Sequence, residues 1–320
     1  MGRVGRRRAV AAVAVAALLT GCAGEVEPGA RPSPKAVDLA APTPASPKPS
    51  PSESPSSRST RPTRPAAPKE AAAQIVAAER AITDPRTSSV DLATTAHSQQ
   101  LAYRELADHP GWDERVLALV PRWLRWVVRA NMSARRAFRS MHPSRPRDLA
   151  TELPAWRIVA PPPAAELRAA YRTAERRYGI DWEYLAAINL VETAFGRIRG
   201  TSVAGAQGPM QFIPATWARY GNGGDVHDPR DAILAAARLL RDHGFAQDPS
   251  TALYHYNNSS AYVRGVTLYA KVMQRRPRAY LGYHQWPVYY LTRHGSVLLP
   301  EGYAERRPVS VKEWLKPGHP

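Results

Sequence analysis

Cysteine is almost missing from this chain: Cys22 is the only one in 320 residues, so no internal disulfide can hold the fold. The nine histidines form no HExxH or paired spacing, which, with cysteine ligands absent, excludes the common zinc centres. No EF-hand spacing occurs around Asp225, Asp228 and Asp231, and no glycine-rich nucleotide motif follows a strand pattern. No metal and no cofactor are therefore expected. The apolar run from Ala9 to Leu19 is too short to span a bilayer comfortably, and no internal repeat is visible.

What is present sorts into segments. Residues 1–21 begin with Arg3, Arg6, Arg7 and Arg8 and continue into that apolar run, the pattern of an export signal. The arginine run leaves Sec and Tat export both open. The signal ends in Leu19, Thr20, Gly21 and Cys22, which resembles the bacterial lipobox, so Cys22 is expected to carry lipid; the alternative is one half of an intermolecular bridge. Residues 22–69 are rich in Pro, Ser, Ala and Thr and have no aromatic residue, so they cannot bury a core. Such a tether reaches on the order of 40 Å as a coil.

The formal charge is +17. Four arginines leave with the signal, and residues 23–69 hold seven basic and four acidic side chains, so about +10 remains on the folded part. A basic surface of that size favours polyanions such as anionic wall polymers or lipid. Export argues against nucleic acid. The other reading is an arginine-rich solvated surface in a chain from a high-GC bacterium, of actinobacterial type by composition.

Residues 70–150 read as a helical accessory region. Helical periodicity is predicted at 69–82, 89–107, 113–120 and 121–138, with Pro121 at a first helical position. The last places Trp123 and Trp126 beside Arg122, Arg125 and Arg129, a face for a membrane or wall surface or for packing on the rest of the fold. Residues 151–275 carry predicted helices at 164–178, 181–194 and 260–273. Another starts with Asp228 as cap and Pro229 at its first position. Residues 276–320 read as a hairpin, alternating at 288–291 and 296–299 around Arg293, His294 and Gly295, and a tail. The expected fold is mainly α, with a small C-terminal β-hairpin.

Glu192 sits near the end of the 181–194 segment on the side of Leu185 and Ile188, with Asn189 beside them. A carboxyl there is partly desolvated and should keep its proton above the usual range, the condition for a general acid near neutral pH. The other reading is a buried glutamate paired with Arg197 or Arg199. Gly200, Gly205 and Gly208 follow, allowing backbone to approach a ligand closely. Met210, Gln211 and Phe212 then offer an adaptable apolar contact, an amide that can both donate and accept, and an aromatic wall.

Three motifs, Glu192 to Gly196 (ETAFG), Gly208 to Trp217 (GPMQFIPATW) and Tyr256 to Val263 (YNNSSAYV), together resemble the lytic transglycosylases of the goose-type lysozyme-like superfamily. The resemblance covers residues 164–272. It implies a lysozyme-like catalytic domain and a peptidoglycan substrate. Glu192 would be the catalytic residue, and Thr193, Gly208, Met210, Gln211, Phe212, Tyr256, Asn257 and Tyr262 would bind substrate. Thr193 stands where the family commonly has serine, Pro209 where it has leucine, and His255 where alanine is more usual. The family's Tyr-Asn tyrosine, matched by Tyr256, implies a hydroxyl facing the carboxyl.

Only one carboxylate is well placed, whereas ordinary glycoside hydrolysis needs two. The resemblance implies that Glu192 protonates the glycosidic oxygen and then deprotonates the C6 hydroxyl, closing a 1,6-anhydro sugar without water. A goose-type muramidase using Asp225 to position water stays open, as does a non-catalytic wall-binding lipoprotein. The expected protein is a monomer, lipid-anchored on the outer face of the cytoplasmic membrane and reaching the wall.

Overall fold

The computed structural model describes residues 62–316. The export signal, the lipid on Cys22 and the tether up to residue 61 lie outside the described residues. The tether's last residues are seated on the folded part: Arg64 donates to Glu105 Oε1 at 2.6 Å and to Ser296 O at 3.1 Å.

The first four helices are α1 (Pro68–Thr83), α2 (Ser89–Asp108), α3 (Asp113–Leu119) and α4 (Arg125–Arg139). Proline opens α1, and the Ser88 side chain caps α2 by accepting from Asp91 N. The helix expected from Pro121 forms one residue later, from Arg122, with Pro121 just outside it and its first turn 3-10. Pro121 has ψ 147°, an extended value that keeps it out of the helix, and the 3-10 turn at Arg122–Leu124 runs straight into α4. On α4, Trp126 is half-buried beneath Arg275, 3.7 Å from guanidinium to ring, while Trp123 is exposed and lies under Arg276 at 4.8 Å. The tryptophan face is thus turned partly onto the last turn of a helix of the 151–275 segment.

That segment contains α5 (Ala164–Tyr178), α6 (Trp182–Thr193), α7 (Pro214–Tyr220), α8 (Pro229–Asp242), α9 (Pro249–Tyr256) and α10 (Ser260–Arg275), followed by α11 (Ala279–His284) and α12 (Val311–Trp314). Asp228 caps α8 through Asp231 N, as its sequence predicts. Helix α9 was signalled by Asp248, which accepts from Ser250 N, and by Pro249 in its first turn, but it is too short for periodicity to reveal. Helix α6 is not amphipathic. Leu185, Ala186, Ala187 and Ile188 are all fully buried, and so is nearly every other residue, because α5, α8, α10 and α11 pack around it.

Three two-stranded antiparallel sheets complete a mainly α fold: β1 (Glu152–Leu153) with β6 (Val309–Ser310), β2 (Arg157–Ile158) with β3 (Ile198–Arg199), and β4 (Val288–Thr292) with β5 (Gly295–Leu299). The expected hairpin forms, with Val288 opposite Leu299 and Thr292 opposite Gly295. It does not stand apart from what precedes it. Val288, Tyr290, Val297 and Leu299 share a small core with Leu153, Trp156, Ile158 and Trp314. The larger core runs without a break from Ala71 in α1 to Trp286 before the hairpin.

A buried polar group ties these parts together. Glu79 of α1, 2% exposed, accepts from Gln99 Nε2 at 2.8 Å and pairs with Arg276 at 3.3 Å. Trp286 Nε1 donates to Gln99 Oε1 at 3.3 Å. Burial pushes the Glu79 carboxyl up to about 7, with Arg276 opposing the rise.

Replacing Arg276 with methionine leaves that carboxylate buried without its cation. The expected loss is about 3 kcal/mol of unfolding free energy above pH 8. Near pH 5, where Glu79 is protonated, the loss should be much smaller. Urea denaturation at the two pH values measures it, and an equal loss at both rejects the ion pair as the cause.

Candidate active site

Glu192 lies one residue before the end of α6. It is 5% exposed and accepts a hydrogen bond from the Tyr262 hydroxyl, which donates to Oε1 at 2.7 Å. Among the described residues no cation pairs with it. Arg197 instead donates to His284 O and faces Glu301 at 3.9 Å, so the ion-pair reading of Glu192 falls away. Burial pushes the carboxyl up to about 8, and the Tyr262 hydrogen bond offsets part of the rise. Burial, then the neighbouring carboxyl, pushes the Tyr262 phenol well above its usual range, so it remains a donor.

The backbone after Glu192 is forced into an unusual path. Ala194 (φ 50°), Phe195 (φ 63°) and Gly196 (φ 82°) are left-handed in succession, a conformation that costs a non-glycine residue roughly 1 kcal/mol or more. Packing holds it. Phe195 is 1% exposed, edge-on to Tyr280 and tilted against His284, and Gly196 N donates to Thr193 Oγ1 at 3.0 Å.

The same turn anchors the second motif. Thr193 Oγ1 donates to Pro209 O at 2.6 Å and Asn189 Nδ2 donates to it at 2.8 Å. Asn189 is held in turn by the Tyr171 hydroxyl, which donates to Oδ1 at 2.8 Å. One carbonyl thus carries two side-chain bonds from α6. Gly208, at φ 72°, lets the loop touch the segment before α8: a Cβ there would lie 1.8 Å from Val226 O. Gln207 and Phe212 close the loop through reciprocal backbone bonds of 2.9 Å, and Gln211, at φ 50°, turns its Nε2 back to Gly208 O at 3.0 Å.

These distances revise several expectations. The phenol on the carboxyl is that of Tyr262, not Tyr256. The Tyr256 hydroxyl donates to Met210 O at 2.6 Å, its ring parallel to that of Tyr262 with centroids 6.4 Å apart. Thr193 and Met210 are fully buried and Phe212 nearly so; they shape the loop behind the carboxyl and present no free surface to a sugar. Gln211 is 7% exposed. Asn257 is 2% exposed, and its Nδ2 is a buried donor without a partner. His255 does not face Glu192. It is exposed and stacks on His243 at 4.1 Å.

A second carboxylate does not join the first. Asp225 is exposed and accepts from His227 N at 2.8 Å, while its own N–H donates to Asp231. Asp228 and Asp231 are spent on the start of α8. Among the described residues, no group of three or more His, Cys, Asp and Glu is placed to hold a metal ion. Sequence reasoning missed Tyr171 and the pairing of Asn189 with Pro209, since neither leaves a signal in local spacing.

Residues 169–276, about a third of the chain, match the family model described as "Transglycosylase SLT domain". No curated protein and no solved structure matches the chain. The matched stretch takes in α6 to α10 and leaves α1 to α4 and the hairpin outside. It supports a place for that stretch among the lytic transglycosylases and lysozyme-like proteins, and with it a peptidoglycan substrate and an extracytoplasmic site of action.

Proposed function

We propose that this protein cleaves the β-1,4 bond between MurNAc and GlcNAc in peptidoglycan, with Glu192 as its single acid and base, and leaves 1,6-anhydro-MurNAc ends. The observation that carries the reading is the isolation of Glu192, 5% exposed and held by one phenol, with a carboxyl shifted up to about 8. A carboxyl in that state is protonated at neutral pH and can donate to the glycosidic oxygen. The glutamate then accepts the C6 hydroxyl proton of the same muramic ring as O6 bonds to C1. Tyr262 supports the anionic form between the two transfers. Gln211, 7% exposed, is the polar group offered to the sugar.

The exposed, turn-bound Asp225 gives a hydrolytic mechanism no second buried carboxylate to use. A scaffold without catalysis has no need of a buried acid, which costs stability. We further propose export through residues 1–21, lipid attachment at Cys22 and action from the outer face of the cytoplasmic membrane as a monomer.

Mass spectrometry of purified sacculi digested with the protein tests the reaction. Anhydro-ended muropeptides are expected, and reducing ends alone would reject the transglycosylase mechanism. Glu192→Gln should lower the rate by about 100- to 10,000-fold.

Two pH effects follow from the shifted carboxyl. Cleavage should decline as pH rises through about 8, where Glu192 loses its proton. Tyr262→Phe removes a bond that favours the charged form, so its alkaline limb should move to higher pH, and an unmoved limb rejects Tyr262 as the partner. For stability, the folded carboxyl binds its proton more tightly than the unfolded one, so this stabilising contribution is complete below the ordinary value of 4.5 and is lost as pH rises to about 8. Glu192→Gln escapes that loss. It should gain on the wild type through this window, by at most about 5 kcal/mol above pH 8, and parallel stability curves from pH 4 to 9 would contradict the buried acid.

A further inference from the structure

A cavity of about 130 Å³ opens between α2, α4, the end of α6 and the first hairpin strand. Val191, just before Glu192 on α6, and Ala194, just past the helix end, form part of its wall. Two arginines enter it, Arg104 from α2 and Arg135 from α4. Among the described residues, no salt bridge reaches either one. Asp108 borders the adjoining hollow of about 70 Å³ and is exposed; its charge acts on Arg104 from there without forming a salt bridge.

Arg104 is 6% exposed; its Nη2 donates to Ser296 Oγ at 2.7 Å, its guanidinium lies 4.5 Å from the Tyr289 ring, and its Nε has no partner. Burial, then the neighbouring Arg135, pushes Arg104 well below the usual arginine range. Arg135 Nε is likewise buried and unpartnered. Gln100, also 6% exposed, donates through Nε2 to Pro287 O at 3.0 Å and leaves Oε1 without a donor. A buried cation without an anion is costly, and buried polar atoms without partners are rare in folded proteins. Two guanidinium groups and one amide oxygen on the same cavity therefore ask for a carboxylate attached to an N–H. Phosphate would satisfy the arginines but not Gln100.

We propose that this cavity receives a carboxylate on an amide-linked chain, the acidic peptide stem borne by the glycan strand that Glu192 cleaves. The proposal rests on the reading of the protein as a peptidoglycan-cleaving enzyme. Val191 and Ala194 bring its wall within two residues of Glu192 along the chain, so a stem on the muramic residue held at the acid has only a short span to cross to reach it. Arg104 and Arg135 both lie outside residues 169–276, so stem recognition would be supplied by the accessory helices.

Calorimetric titration of the full-length protein with a synthetic stem tripeptide tests this without any cleavage. The free-acid peptide should bind, and the same peptide amidated at its carboxylates should bind at least about tenfold more weakly, as should the acid peptide to Arg135→Gln. Inorganic phosphate should not compete. Arg135 is half-buried and its replacement is expected to fold, with the thermal midpoint as the check; if that variant unfolds, the comparison of acid and amidated peptide on the wild type decides alone. Equal binding of the two peptides, no binding, or equal competition by phosphate overturns the proposal. A protein that binds the acid peptide yet releases no anhydro-muropeptides would instead sink the enzyme reading and leave the cavity assignment standing.

Discussion

The hydrogen bond from Tyr262 to Glu192 at 2.7 Å is the interaction around which the rest is arranged. A carboxyl with one phenol and apolar surroundings is expensive to bury, and it stays protonated only while water is kept out. That requires α6 to be covered on every side, which explains why a helix of Leu185, Ala186, Ala187 and Ile188 has no polar face. It also explains the strained exit through Ala194 and Phe195. The left-handed turn stops the helix after Thr193, whose hydroxyl holds Pro209.

Fixing one carbonyl fixes the loop. Because Pro209 O is held by both Asn189 and Thr193, and Met210 O by Tyr256, the backbone from Gly208 to Phe212 cannot drift relative to the carboxyl. The residues that look like ligands in the sequence mostly act as struts. Thr193, Met210 and Phe212 are closed off from solvent, and their contribution is the position of the groups that remain free.

The accessory helices belong to the same arrangement. Phe138 of α4 lies against Gly265 of α10, where a Cβ would come within 2.3 Å of its ring, and it meets Tyr262 edge-on at 6.5 Å. The ring beside the Tyr262 phenol is thus supplied by a helix that the family match does not reach. Glu79, Gln99, Arg276 and Trp286 lock α1, α2, the end of α10 and the approach to the hairpin together. The accessory region and the matched stretch share one core for that reason.

Local chemistry was legible in the sequence wherever a single segment carried it. The cap at Asp228, the hairpin around Arg293 and His294, and the apolar setting of Glu192 are written in adjacent residues or in their period. Helix α9 and the two-residue strands were not, since a turn or two of helix or a single bridge pair has no period to read. The choice between two tyrosines six residues apart, Tyr256 and Tyr262, could not be read either. Both are buried and their rings are parallel, so the direction in which each hydroxyl points is set by α6 and the 208–212 loop, brought close from 46 to 70 positions away. The sequence by itself determined that one acid would sit among apolar neighbours; only the tertiary structure decided which phenol meets it and which arginines are left without an anion, because those depend on the packing of distant helices.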